Sequence, residues 1–208
     1  MSATPRHVIG LTGLPSSGKG EVTSALLDCA RERGWRGAHL SFSDVIKEEA
    51  ASRGVPESEF ERGLLSRIAT ELRETEGPGV LAVRIADKIT NRPQPTPELF
   101  VVEALRHPGE ADALREAFGD RFQLVAVDCE PRTIARRLIA RARPDESREA
   151  LQSEEKATQL LAAELHGGES DRSPNVGRTM AVADLHLDNN GTLEELRARV
   201  NAFCRELD

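Results

Sequence analysis

Gly13-Leu-Pro-Ser-Ser-Gly-Lys-Gly20 stands directly after the apolar run His7-Val-Ile-Gly-Leu11 and directly before a helix-like stretch beginning at Lys19. Its glycines let the backbone curl without side-chain clashes, so successive amides point inward at phosphate oxygens while the next helix presents its positive end. Lys19 adds a mobile point charge for the β- and γ-phosphates. Strand, glycine-lysine loop and helix together predict an open parallel sheet, with the ligand beyond the carboxyl ends of the strands.

The usual loop continues with Ser or Thr, whose hydroxyl binds Mg²⁺; here Gly20 and then Glu21 follow. With Pro15 and Gly20 in place, the loop resembles that of adenylate kinase and related nucleoside monophosphate kinases, whose pattern is G-x-P-x-x-G-K-G followed by Thr. Glu21 departs from that Thr, and Ser16, Ser17, Thr23 and Ser24 are the nearby hydroxyls. The resemblance implies ATP and Mg²⁺ as cofactors, with Gly13, Pro15, Ser16, Ser17, Gly18, Lys19, Gly20 and Glu21 around the nucleotide.

A chain of 208 residues is long enough for one sizeable core, and a single domain over 1–208 is expected. No stretch is apolar for long enough to cross a bilayer, and residues 1–7 lack the apolar core of a signal peptide, so a cytoplasmic protein is expected. Cys29, Cys129 and Cys204 are far apart with no C-x-x-C spacing, which reads as buried free thiols. A net charge of -7 argues against a general duplex-binding surface while remaining compatible with a small anionic ligand in a local arginine pocket. Monomer and homodimer are both compatible with the sequence.

Short β-branched runs at His7–Leu11, Ala38–Phe42, Leu99–Glu103, Gln123–Asp128 and Leu185–Asp188 alternate with helical patterns. This predicts an α/β fold, a five-stranded parallel sheet with helices on both faces. Helices are expected at Lys19–Arg33, Asp44–Arg53, Ser58–Glu74, Gly79–Thr90, Pro108–Phe118, Pro131–Arg143, Ser147–His166 and Thr192–Leu207, the last opened by a Thr192–Glu195 capping box. Asn91–Pro97 is a proline-rich connector, and His166–Pro174 reads as a mobile loop.

Polar residues just after each strand are the candidate chemistry. Ser43, Asp44 and Lys47 follow the second strand and resemble the D-x-x-R segment of adenylate kinases, which implies an acceptor-phosphate contact for Lys47; Asp44 reads equally well as a helix cap. Glu103 ends the third strand, where Mg²⁺ or its water needs a negative ligand, and Arg106 could grip the acceptor phosphate or the transferred group. Here the chain looks like the deoxynucleoside monophosphate kinase-like proteins, with Glu103 and Ala104 standing where their pattern has Asp-Gly. That branch includes archaeal kinases of similar size and the kinase-like domain fused to some deoxycytidylate deaminases. Arg62 and Arg73 lie at places comparable to its acceptor arginines, in an acceptor-binding region over 44–90. Arg137, Arg141 and Arg143 match its lid arginines, in a lid-like region over 137–176, and Asn190-Gly191 matches the loop that lies against the adenine.

The reading that joins these pieces is transfer of the γ-phosphoryl of ATP to a nucleoside or deoxynucleoside monophosphate, with positioning and electrostatics supplying the catalysis. Two others stay open: a kinase for dephospho-coenzyme A, whose hydroxyl acceptor would need a base such as Asp44, and a nucleotide-sensing module without turnover. No N-K-x-D guanine-reading segment is present.

Overall fold

The computed structural model describes residues 4–141, 153–167 and 171–207. Five strands, β1 (His7–Thr12), β2 (Gly37–Ser41), β3 (Leu99–Leu105), β4 (Phe122–Asp128) and β5 (Leu185–Asp188), form one parallel sheet in the order β2-β3-β1-β4-β5. All five lie where the apolar runs predict. From the central β1 the chain crosses to the edge strand β2, returns to β3 beside β1 and then continues outward through β4 to β5, leaving a crevice between β3 and β4 at the end of β1, where the order reverses.

Alternation along the central strands divides the core. Val8, Phe100, Val102 and Leu124 face α2 (Phe42–Ser52), α3 (Arg62–Glu76), α4 (Val80–Thr90) and α5 (Pro108–Phe118). Ile9, Leu11, Val101, Val125 and Val127 face α1 (Lys19–Glu32) and α9 (Leu193–Glu206). Successive side chains of a strand point to opposite faces, so near-continuous apolar runs are what burial on both faces requires. At 25 cal/mol per Å², each of these large side chains contributes about 2 kcal/mol of burial.

Two further helices, α6 (Pro131–Arg141) and α7 (Glu154–His166), pack on each other over the carboxyl end of the sheet through Ile134, Ala135, Ala157 and Leu161, with Leu14 of the loop in the same cluster. A short α8 (Val176–Ala181), absent from the sequence-based expectation, follows the segment read as a loop, His166–Pro174. Residues 142–152 and 168–170, within the expected lid-like region, lie outside the described residues.

The three cysteines are free and buried. Burial and the neighbouring Cys29 thiol push the Cys204 thiol up, so it stays protonated and unreactive. No described helix is long and apolar enough to cross a membrane.

Candidate active site

Between β1 and α1 the loop takes a shape that depends on its glycines. Gly13 sits at φ 136° and Gly18 at φ 106°. A Cβ on Gly13 would stand 2.7 Å from the Val127 carbonyl oxygen, and one on Gly18 would collide with the Asn189 amide. Ser16 also adopts a left-handed conformation, at φ 60°, which a non-glycine residue reaches only at a cost.

The cradle has donors to spare. The amides of Gly18, Lys19 and Gly20 donate to no protein acceptor among the described residues, and the buried Ser17 Oγ has no hydrogen-bond partner. Orphaned donors at a helix N-terminus fit an anion, so the observed loop suits the phosphates of a nucleotide. Lys19 Nζ meanwhile donates to the carbonyls of Gly13 (2.9 Å) and Leu14 (2.7 Å). Burial of this ammonium, reinforced by the Arg106 charge and partly offset by Glu103 and Glu164, lowers its pKa to about 8.

Glu103 stands at the carboxyl end of β3 and accepts a hydrogen bond from the Thr23 hydroxyl of α1, with His39 Nε2 of β2 3.6 Å away. Thr23, one turn beyond the place where the usual loop has its hydroxyl, therefore orients the carboxylate rather than Gly20's missing side chain. No group of three or more potential metal ligands occurs among the described residues. A lone carboxylate suits Mg²⁺ that is bound chiefly by phosphate and water, and Glu103 is the residue that would hold it. Directly after it, Ala104 takes φ 74° at the bulge where the β1–β3 register shifts. The Gly of the resembling pattern would occupy that conformation freely.

A cleft of about 470 Å³ opens beside the loop, lined by Ser16, Gly18, Glu21, Arg137, Asn189, Gly191 and the apolar Leu193 and Leu196. Three distant stretches of sequence, 16–21, 137–140 and 189–196, thus meet where the fold predicts a ligand. Asn189, which sequence reasoning passed over in favour of its neighbour, is buried and donates to the Ser17 carbonyl at 2.6 Å. Asn190 instead is spent on the turn: its Nδ2 donates to Asp188 Oδ1 and its Oδ1 accepts from the Glu130 amide.

Arg137 departs from its expected place over the transferred phosphoryl. Its guanidinium donates to the carbonyls of Asn189 and Gly191, both at 2.8 Å, and so ties α6 to the β5–α9 loop. Arg132 and Arg136 both pair with Glu154 on the exposed face. Arg143, and the side chains of Arg62 and Arg141, lie outside the described residues.

The acceptor side also differs from expectation. Arg73 is not presented to a ligand: it is 2% exposed and donates from Nε (3.1 Å) and Nη2 (2.7 Å) to Glu110, which is 0% exposed. The other Glu110 oxygen accepts from the amides of Arg106 (2.7 Å) and His107 (3.1 Å). A buried guanidinium therefore compensates the carboxylate that shapes the turn bearing Arg106. The sequence His107-Pro-Gly-Glu110 is a capping-box signature and marks Glu110 in retrospect. Asp44 is not the helix cap; Ser41 is, accepting from the Ser43 amide. Lys47 is exposed and lies 3.9 Å from Asp44, and Ser43 is exposed beside them. Arg106 alone of these reaches toward the loop, 38% exposed and 3.8 Å from Glu164 of α7.

Comparisons with known proteins agree with this geometry. The family model described as AAA domain matches residues 9–160. A UPF0200 protein of Methanothrix thermoacetophila is 31% identical over 206 residues, spanning 97% of this chain and 98% of the relative. The chain belongs to the AAA-domain family and to the UPF0200 proteins. A UPF0200 protein of Pyrococcus horikoshii is likewise 31% identical, over 96% of this chain and 97% of its own. Among solved structures, a gluconokinase from Sinorhizobium meliloti superposes with a TM-score of 0.51 at 16% identity, covering 99% of this chain and 97% of that one. Shikimate kinase from Acinetobacter baumannii gives 0.51 at 19% identity, covering 99% and 93%. These likenesses establish the fold, a P-loop kinase architecture.

Proposed function

We propose that this chain is an ATP-dependent phosphotransferase acting on a small acceptor, with a nucleoside or deoxynucleoside monophosphate as the acceptor class. The observation that carries the transferase reading is the loop itself: unpartnered amides and a buried ammonium at the head of α1, facing a carboxylate at the end of β3. Lys19 and the amides would hold the donor's phosphates, Glu103 would hold Mg²⁺, and Arg106 would bridge donor and acceptor. Bound Mg²⁺ would neutralise charge on the transferring group. Arg106 and the sequence resemblance support the monophosphate acceptor.

One observation favours a second reading, transfer to a hydroxyl. Arg73 is consumed by Glu110 and the exposed Lys47 lies beside Asp44, which leaves few cations for an acceptor phosphate among the described residues. Purified protein with ATP·Mg²⁺ should be offered the ribo- and deoxyribonucleoside monophosphates and, in parallel, dephospho-coenzyme A. Phosphorylation of a monophosphate that disappears in Lys19→Ala supports the first reading; transfer only to the hydroxyl acceptor replaces it by the second. Undiminished transfer in Lys19→Ala would remove the loop from the mechanism.

A further inference from the structure

We propose that Glu21 selects the sugar of the donor nucleotide, accepting hydrogen bonds from the 2′- and 3′-hydroxyls of a ribose, an assignment that rests on the loop binding ATP. Glu21 is the third residue of α1 and the one carboxylate on the cleft wall among the described residues. It shares that cleft with Ser16 and Gly18 of the loop and with Leu193 and Leu196 of α9. In any nucleotide the sugar joins phosphate to base. Phosphates on the loop and a base against the two leucines therefore set the sugar along the first turn of α1, beside Glu21.

Two of the other polar side chains of the cleft are already committed. Arg137 donates to the carbonyls of Asn189 and Gly191, and Asn189 Nδ2 donates to the Ser17 carbonyl. Among the described residues Glu21 has one loose partner, Arg197 at 3.8 Å, with both side chains more than half exposed. An ionised carboxylate accepts hydrogen bonds and donates none, so it suits two adjacent hydroxyls. It also repels phosphate, so the side chain disfavours a phosphoryl group over this part of the wall and leaves the phosphates to the amides of Gly18, Lys19 and Gly20. A Ser or Thr hydroxyl at this position could accept a single hydrogen bond but would carry no charge with which to repel phosphate.

Titration calorimetry with ATP, 2′-deoxy-ATP and 3′-deoxy-ATP tests the assignment on the full chain. The wild type should bind ATP roughly tenfold more tightly than either deoxynucleotide, the loss expected for a charge-assisted hydrogen bond. Glu21→Thr should bring the three affinities within about threefold of one another, mainly by weakening ATP. Glu21→Gln, which keeps one acceptor, should fall between. Equal affinities in the wild type, or an ATP preference unchanged in Glu21→Thr, would overturn the sugar assignment while leaving the loop as the donor site, provided Lys19→Ala still abolishes binding. Absence of nucleotide binding in the wild type, or binding indifferent to Lys19→Ala, would overturn the loop reading and the sugar assignment with it.

Discussion

Lys19 holds its ammonium against two carbonyls of its own loop, withdrawn from water, with a pKa of about 8 against an ordinary value near 10.5. Phosphates arriving on the loop would favour the charged form and raise that value again. Below pH 8 the ammonium is already protonated and binding takes up no proton; above it, binding must recruit one. ATP affinity should therefore be nearly flat from pH 7 to 7.5 and fall by up to roughly tenfold per unit above pH 8. Calorimetry between pH 7 and 9.5 would measure this, and Lys19→Met should bind weakly with no such slope. A second residue carries a local cost. Ala104 sits at φ 74° on the β3 bulge, where an L side chain is strained by about 1 kcal/mol. Ala104→Gly frees that strain but adds backbone entropy to the unfolded chain, a penalty of similar size, so its melting temperature should move by no more than about 3 °C. Ala104→Val, by contrast, adds β-branching at a left-handed position and should lower it clearly in a thermal scan.

At the scale of elements, α3 and α5 are joined through one ion pair removed from solvent, Arg73 with Glu110. Breaking such a pair on one side leaves a buried charge uncompensated. Arg73→Met should lower unfolding free energy by about 3–5 kcal/mol in urea titration. Glu110→Gln added to that background should recover part of the loss, because the stranded charge is then gone. The same carboxylate fixes the amides of Arg106 and His107, so the pair shapes the turn that presents Arg106. Its contribution to catalysis would be indirect. On the other face, Arg137 ties α6 to the β5–α9 loop by two carbonyl contacts. Arg137→Ala should weaken ATP binding several-fold without unfolding the protein, since its contacts lie at the cleft and not in the core.

For the whole molecule, the loop, Glu103 and the β5–α9 turn are drawn from separate parts of the chain, so nucleotide binding should stabilise the fold as a unit. ATP·Mg²⁺ at about a hundredfold over its dissociation constant adds roughly 2.7 kcal/mol, or about 5–10 °C in melting temperature for a chain of this size. Lys19→Ala should show no such shift in a thermal scan. The sheet was legible in the sequence because strands buried on both faces need unbroken apolar runs, and five such runs alternate with helical periods. The loop was legible for the same local reason: strand, glycine turn and helix start are adjacent in the chain. The acceptor side was not. Nothing in the spacing of Arg73 and Glu110 tells that they meet, and an arginine in a helix reads identically whether it faces a ligand or a carboxylate 37 residues away. Asn189 and Asn190 are equally suited to a tight turn, and only the packing of β5 beside the loop turned the first inward and left the second on the surface. The sequence alone thus determined the sheet and its phosphate cradle, which follow from periodicity and local backbone freedom. Which arginines, acids and amides surround that cradle was decided by tertiary structure, because long-range pairing of charges is set by which helices the folded chain brings together.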